Sequence, residues 1–150
     1  MGQYHILANI DKKEKVEPYG LGLGLKQWEH LGEYNGTLAD AIYLLVMTSP
    51  ARGGGDLPRT EISGRWAGDR VVILGDYTEQ GDIRGVEKAN ELYREADNNY
   101  EDITTLVADA FETVFRIRPN NYWNKAFEEM VNGRMTEIIQ ERKDLNGSGN

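Results

Sequence analysis

Three short segments between Arg52 and Asp82 hold the residue types best suited to chemistry: Arg52-Gly-Gly-Gly-Asp56, Gly64-Arg-Trp-Ala-Gly-Asp-Arg70 and Gly75-Asp-Tyr77. Three consecutive glycines carry a large backbone entropy cost. An ordered loop there would serve close approach of the main chain to a ligand, with Arg52 and Asp56 at its ends; otherwise it is a mobile connection after Pro50. Arg65 and Arg70 flank a turn and suit a bidentate grip on phosphate or carboxylate. Asp56, Asp69 and Asp76, if they converge, offer hard oxygen ligands to Mg²⁺ or Ca²⁺, as a small metal-dependent hydrolase would need. Gly-Asp pairs are equally the residues of strand ends and hairpin turns, and the aspartate intervals match no EF-hand. The expectation is a ligand-binding site built from Arg52, Asp56, Arg65, Trp66, Asp69, Arg70, Asp76 and Tyr77, with no catalytic residue, metal or cofactor assigned. Trp66 by itself reads as packing.

Other candidates are weaker. Gly20-Leu-Gly-Leu-Gly24 could bare backbone N–H groups to a phosphate, but neither a dinucleotide fingerprint nor a Gly-Lys-Ser/Thr loop is present; it reads as a turn. His5 and His30 are the only histidines. They lack the spacing of a zinc pair, no G-x-S-x-G elbow accompanies them, and each reads as structural or exposed. The acidic helix-forming stretch from Glu87 to Asp102 reads as a solvated face.

The whole chain narrows the classes further. Its 150 residues suit one domain. A net charge of −8 argues against plain phosphate-backbone binding to nucleic acid, while a basic protein partner fits. The absence of cysteine removes disulfides, thiolate nucleophiles and Cys-based zinc sites, and suits a reducing cytoplasmic setting. No stretch approaches the ~20 apolar residues of a membrane span. The first residues carry their charges after the apolar run, the reverse of a secretory signal, and Ile6 stands where a myristoylation signal needs Ser or Thr.

Thirteen of the 17 glycines fall between Gly20 and Gly85, dividing the chain into a turn-rich half and a helical half. Tyr4–Ile10 alternates as a strand, and Lys15–Glu17 begins a return strand. Lys26–Glu33 reads as a short helix with Trp28 and Leu31 inward. Thr37 and Asp40 mark the start of a helix carrying Leu38, Ala41, Ile42, Leu45 and Val46. Ile62–Trp66 and Arg70–Tyr77 read as a hairpin across Ala67-Gly68-Asp69, with Val71–Leu74 as a central, covered strand. Val86–Ala96 reads as a helix. Ile103, Leu106, Val107, Ala110, Phe111, Val114 and Phe115 follow helical spacing without a break, with Asp102 or Thr104 as cap. A last helix follows Asn121. These predict a single α+β domain over 1–143, an antiparallel sheet of about four strands covered by helices on one face, a helical C-terminal half, and a flexible tail at 144–150.

The motifs MGQY, Asn9-x-Asp-Lys-Lys13, Gly22-x-Gly-Leu-Lys26, Asn35-Gly-Thr37, Arg52-Gly-Gly-Gly-Asp56, Gly64-x-Trp-Ala-Gly-Asp-Arg70 and Gly75-Asp-Tyr77, in that order, resemble a family of small proteins from bacteria and their phages. That family usually has Asp where this chain has Leu23, a departure that weakens any binding role for that loop. The resemblance implies a phage or mobile-element context and no catalytic residues. In that context, a small, acidic, cysteine-free domain with arginine- and glycine-bearing loops and no catalytic set suggests a non-catalytic accessory protein, such as a counter-defence factor, that binds a small polar, nucleotide-like ligand or a host protein. The metal-dependent hydrolase and a homo-oligomeric interaction module are the alternatives.

Overall fold

The alternation from Tyr4 to Ile10 forms β1 (His5–Asn9), and the polar turn after it reverses the chain into β2 (Glu14–Val16). The computed structural model describes residues 2–32, 35–116 and 140; apart from Gln140, the helix expected after Asn121 lies outside them, as does the tail at 144–150. A 3-10 turn at Pro18–Leu21 leads to α1 (Gln27–Leu31), α2 (Leu38–Val46) and, after a long run of turns, β3 (Val71–Gly75). Helix α3 (Ala89–Asn99), the two-residue β4 (Glu101–Asp102) and α4 (Thr104–Phe115) complete the described elements.

The four strands form one sheet in the order β3-β1-β2-β4. β1 pairs antiparallel with β2 and β3, whereas β4 lies parallel to β2. The fold is α+β as expected, but its sheet is mixed. Both faces are covered, not one. Leu7 and Val16 point into a core with Leu38, Leu44, Leu45, Trp66, Val107 and Phe111. Ile6, Ala8 and Leu74 point the other way, against Leu92 and Ala96 of α3.

The caps of the two best-patterned helices are in place. Asp40 accepts from the N–H of Gly36 and Thr37 at 2.7 and 3.1 Å, starting α2. Asp102 accepts from the Thr104 N–H at 2.9 Å, starting α4. Among the described residues, no helix is long and apolar enough to cross a membrane.

Four expectations are corrected. Residues Ile62–Trp66 form consecutive turns, not a strand. Ile62 and Trp66 are both buried four residues apart, and the N–H groups of Gly64 and Trp66 donate to the Leu44 and Leu45 carbonyls of α2 at 3.0 and 2.8 Å. Their backbone is thus spent on a helix end, leaving none for a sheet ladder. Consequently, among the described residues, β3 has no hairpin partner on that side and is an edge strand, not a central one. In α1 the phase is rotated: His30 is buried, while Trp28 and Leu31 face outward. The third helix begins at Ala89, because Gly85 at φ 79° and a turn closed by the Val86 N–H on the Ile83 carbonyl precede it.

Two substitutions test this packing. Gly64 has φ 70°, and a Cβ there would stand 2.8 Å from the Met47 carbonyl oxygen. Gly64→Ala is expected to cost about 2 kcal/mol, read as a lower urea midpoint at unchanged slope. Leu23 is buried in the larger core, so an Asp there would place a carboxylate among apolar side chains. Leu23→Asp is expected to cost about 3 kcal/mol in the same measurement.

Candidate functional site

The residues expected to form one site fall into three separate places. Arg52 and Asp56 close an exposed loop on itself. The Asp56 carboxylate accepts from the N–H of Arg52 and Gly53 at 3.1 and 2.7 Å, and the Arg52 guanidinium reaches Ser49 Oγ at 3.3 Å. The triple glycine is therefore an aspartate-capped turn.

Arg65, Trp66, Asp69 and Arg70 form a buckle onto the β1–β2 hairpin. Glu14 of β2 is buried, and its carboxylate accepts from Arg65 Nε at 3.0 Å and from Trp66 Nε1 at 2.7 Å. The Arg65 bond holds the Glu14 carboxyl below its usual range despite burial, and Glu14 in return raises Arg65. Asp69 accepts from Lys12 Nζ and Asn9 Nδ2, which together lower its pKa. Asp11 accepts from the Arg70 N–H at 2.6 Å and from Arg70 Nε at 2.9 Å, and is lowered likewise. Two of these arginines are thus committed to carboxylates of their own chain.

Asp76 and Tyr77 lie at a third place, the end of β3. Asp76 accepts from the Tyr4 N–H at 3.0 Å. Asp56, Asp69 and Asp76 do not converge, and among the described residues no three His, Asp or Glu side chains are placed to share a metal ion.

This third place adjoins a groove that Tyr77 borders. The Asp76 N–H bonds the Tyr4 carbonyl and the Ile10 N–H bonds the Arg70 carbonyl, which fixes the phase of the antiparallel ladder between β1 and β3. Arg70, Val72, Leu74 and Asp76 turn their peptide groups toward β1; Val71 and Ile73 turn theirs outward. Among the described residues β3 has no second neighbour strand.

Beside that edge runs a groove in two parts. The apolar part, about 410 Å³, is bordered by Trp28 and Leu31 of α1, Leu38, Ala39 and Ile42 of α2, and Ile73. The polar part, about 330 Å³, is bordered by Gln3, His5, Tyr77, Thr78 and Asp82. Gln27 and Ile73 belong to both, so the two parts adjoin. Trp28 is 83% exposed and Ile73 38%, unusual values for residues so apolar in adjoining positions.

His5 and His30 meet behind this groove. Their rings are edge to face, 6.5 Å between centres. His30 Nε2 lies 3.0 Å from the Gly24 carbonyl, so it carries the proton and leaves Nδ1 as an acceptor. Burial, then the neighbouring His30, lowers the pKa of His5, against a smaller opposing pull from Asp76. Reading the sequence missed His5, Trp28 and His30. The short α1 has too few residues for its phase to be read, and two histidines 25 positions apart give no spacing signal. No protein-family model, no curated protein and no solved structure matches this chain.

Proposed function

We propose that this protein is a non-catalytic binding protein that captures an extended segment of a partner protein along the outer edge of β3. The observation that carries the reading is the open edge itself: outward peptide groups at Val71 and Ile73 run beside an apolar groove headed by an exposed Trp28. Strand addition supplies main-chain hydrogen bonds, and pockets for alternate side chains supply selectivity. Trp is also the residue type most enriched where binding energy concentrates.

Charge favours a basic occupant. The chain carries −8, and Asp82 borders the groove. The same charge opposes pairing of β3 with a second copy, the homo-oligomeric alternative. A nucleotide-like ligand loses support because Arg65 and Arg70 are engaged by Glu14 and Asp11. A metal-dependent hydrolase loses support because its three aspartates are held apart. The resemblance to phage and bacterial proteins supports a host protein as the partner and counter-defence as its purpose, and the cysteine-free composition supports a cytoplasmic setting.

Selection from a displayed library of ten-residue peptides tests this reading. Enriched sequences are expected to alternate apolar and polar positions and to carry Lys or Arg. No enrichment, or enrichment without that pattern, would sink it.

A further inference from the structure

Behind the groove, a hollow of about 50 Å³ is bordered by His5, His30, Glu17, Tyr4, Tyr19 and Tyr93, with Pro18 and Leu25. The Nδ1 atoms of His5 and His30 are buried, and neither has a hydrogen-bond partner among the described residues. His30 is only 6% exposed. A buried acceptor left unpaired costs about 1–3 kcal/mol, so the pair calls for a donor.

The ring separation says what kind of donor. Two imidazoles sharing a metal ion at ~2.1 Å bring their ring centres to roughly 5 Å. Two imidazoles accepting hydrogen bonds of ordinary length from one tetrahedral donor stand roughly 6.5 Å apart. The observed 6.5 Å matches the second arrangement. The surroundings favour a cation. Glu17 borders the hollow, and the Tyr93 phenol is pushed up to about 12, first by burial and then by Asp97, Glu17 and Asp76. Glu17 also pairs with Lys15 Nζ at 2.9 Å, which engages one of its two oxygens.

We infer that the His5–His30 hollow is a pocket for an alkylammonium group, supplied by a lysine side chain of the captured segment. The source of the cation rests on the partner-capture reading; the pocket itself does not. An ammonium group offers three N–H donors, which suits the two unpartnered Nδ1 atoms and the Glu17 carboxylate at this hollow. A guanidinium is planar and larger, and fits the hollow less well.

Two arms test this. In the first, methylammonium chloride is titrated into the protein while the imidazole resonances of His5 and His30 are followed by NMR, with tetramethylammonium and sodium chloride at matched ionic strength as controls. Saturable shifts of both rings are expected with methylammonium alone, and their loss in His30→Phe. His5→Gln provides a second variant should His30→Phe not fold. Absence of shifts would show a resident water only and overturn the pocket, as would equal shifts with tetramethylammonium. Saturation by Zn²⁺ with no response to methylammonium would also overturn it, in favour of a metal. In the second arm, replacing Lys by norleucine in a selected peptide is expected to weaken binding at least tenfold; an unchanged affinity overturns the lysine assignment. Methylammonium shifts without any peptide binding would uphold the pocket and sink partner capture, so the two failures are distinguishable.

Discussion

Glu14→Ala is expected to lower stability by about 3 kcal/mol, and with it the melting temperature by roughly 6–12 °C. The Glu14 side chain is 5% exposed and that of Arg65 31%, so the substitution strands a half-sheltered guanidinium and removes the acceptor of the buried Trp66 N–H. Each lost partner leaves its donor with the cost of an unmet hydrogen bond. Glu14→Gln keeps an acceptor for Trp66 but not the charge, and is expected to lose about half as much. The pH dependence follows from the sign of the shift. Because Arg65 and Trp66 lower the folded-state pKa of Glu14, its contribution is complete above the unfolded value of about 4.3. It is lost as pH falls through the depressed folded value. Acid titration of stability should therefore be shallower below about pH 4.3 in Glu14→Gln than in the parent chain. An equal acid slope in the two proteins would contradict the Glu14–Arg65–Trp66 assignment.

The second large effect concerns binding. Ile73→Pro removes an outward N–H that takes no part in the ladder to β1, since β1 is met by Val72 and Leu74. Proline is tolerated at such edge positions. The variant is expected to remain folded and to bind a selected peptide at least 100-fold more weakly. Trp28→Ala should weaken binding by tenfold or more, while stability changes by less than about 0.5 kcal/mol, as for other exposed residues. Isothermal titration with one peptide against the three proteins reads both. Wild-type affinity in Ile73→Pro would mean that the peptide docks without joining the sheet.

The parts of the fold legible in the sequence are those whose cause is local. Thr37 and Asp40 cap α2 through neighbouring N–H groups, and the stripe from Ile103 to Phe115 marks α4 by period alone. The segment from Ile62 to Trp66 misleads because its β-forming residues are held by the C-terminal turn of α2, a contact that no local pattern announces. Moving that segment out of the sheet is what turns β3 from a central strand into the edge strand among the described residues. The candidate site misled for a related reason. Arg65, Asp69 and Arg70 have the composition of a ligand site, but their partners Glu14, Asn9 and Asp11 lie 51 to 60 residues earlier. The two motif stretches face each other as an ion-paired buckle, so their chemistry is spent within the fold. Of the expected residues, Tyr77 borders the groove, whose other members, Trp28 and His30, depend on the phase of a five-residue helix.

Amide hydrogen exchange of the free protein tests the open edge most directly. The N–H groups of Val72 and Leu74 bond to β1 and are expected to be protected, while those of Val71 and Ile73 exchange at rates near those of exposed loops. On addition of a selected peptide, Ile73 should gain protection while Val72 and Leu74 change little. An Ile73 amide as slow as Leu74 in the free protein would show the edge already occupied, and would contradict partner capture at β3.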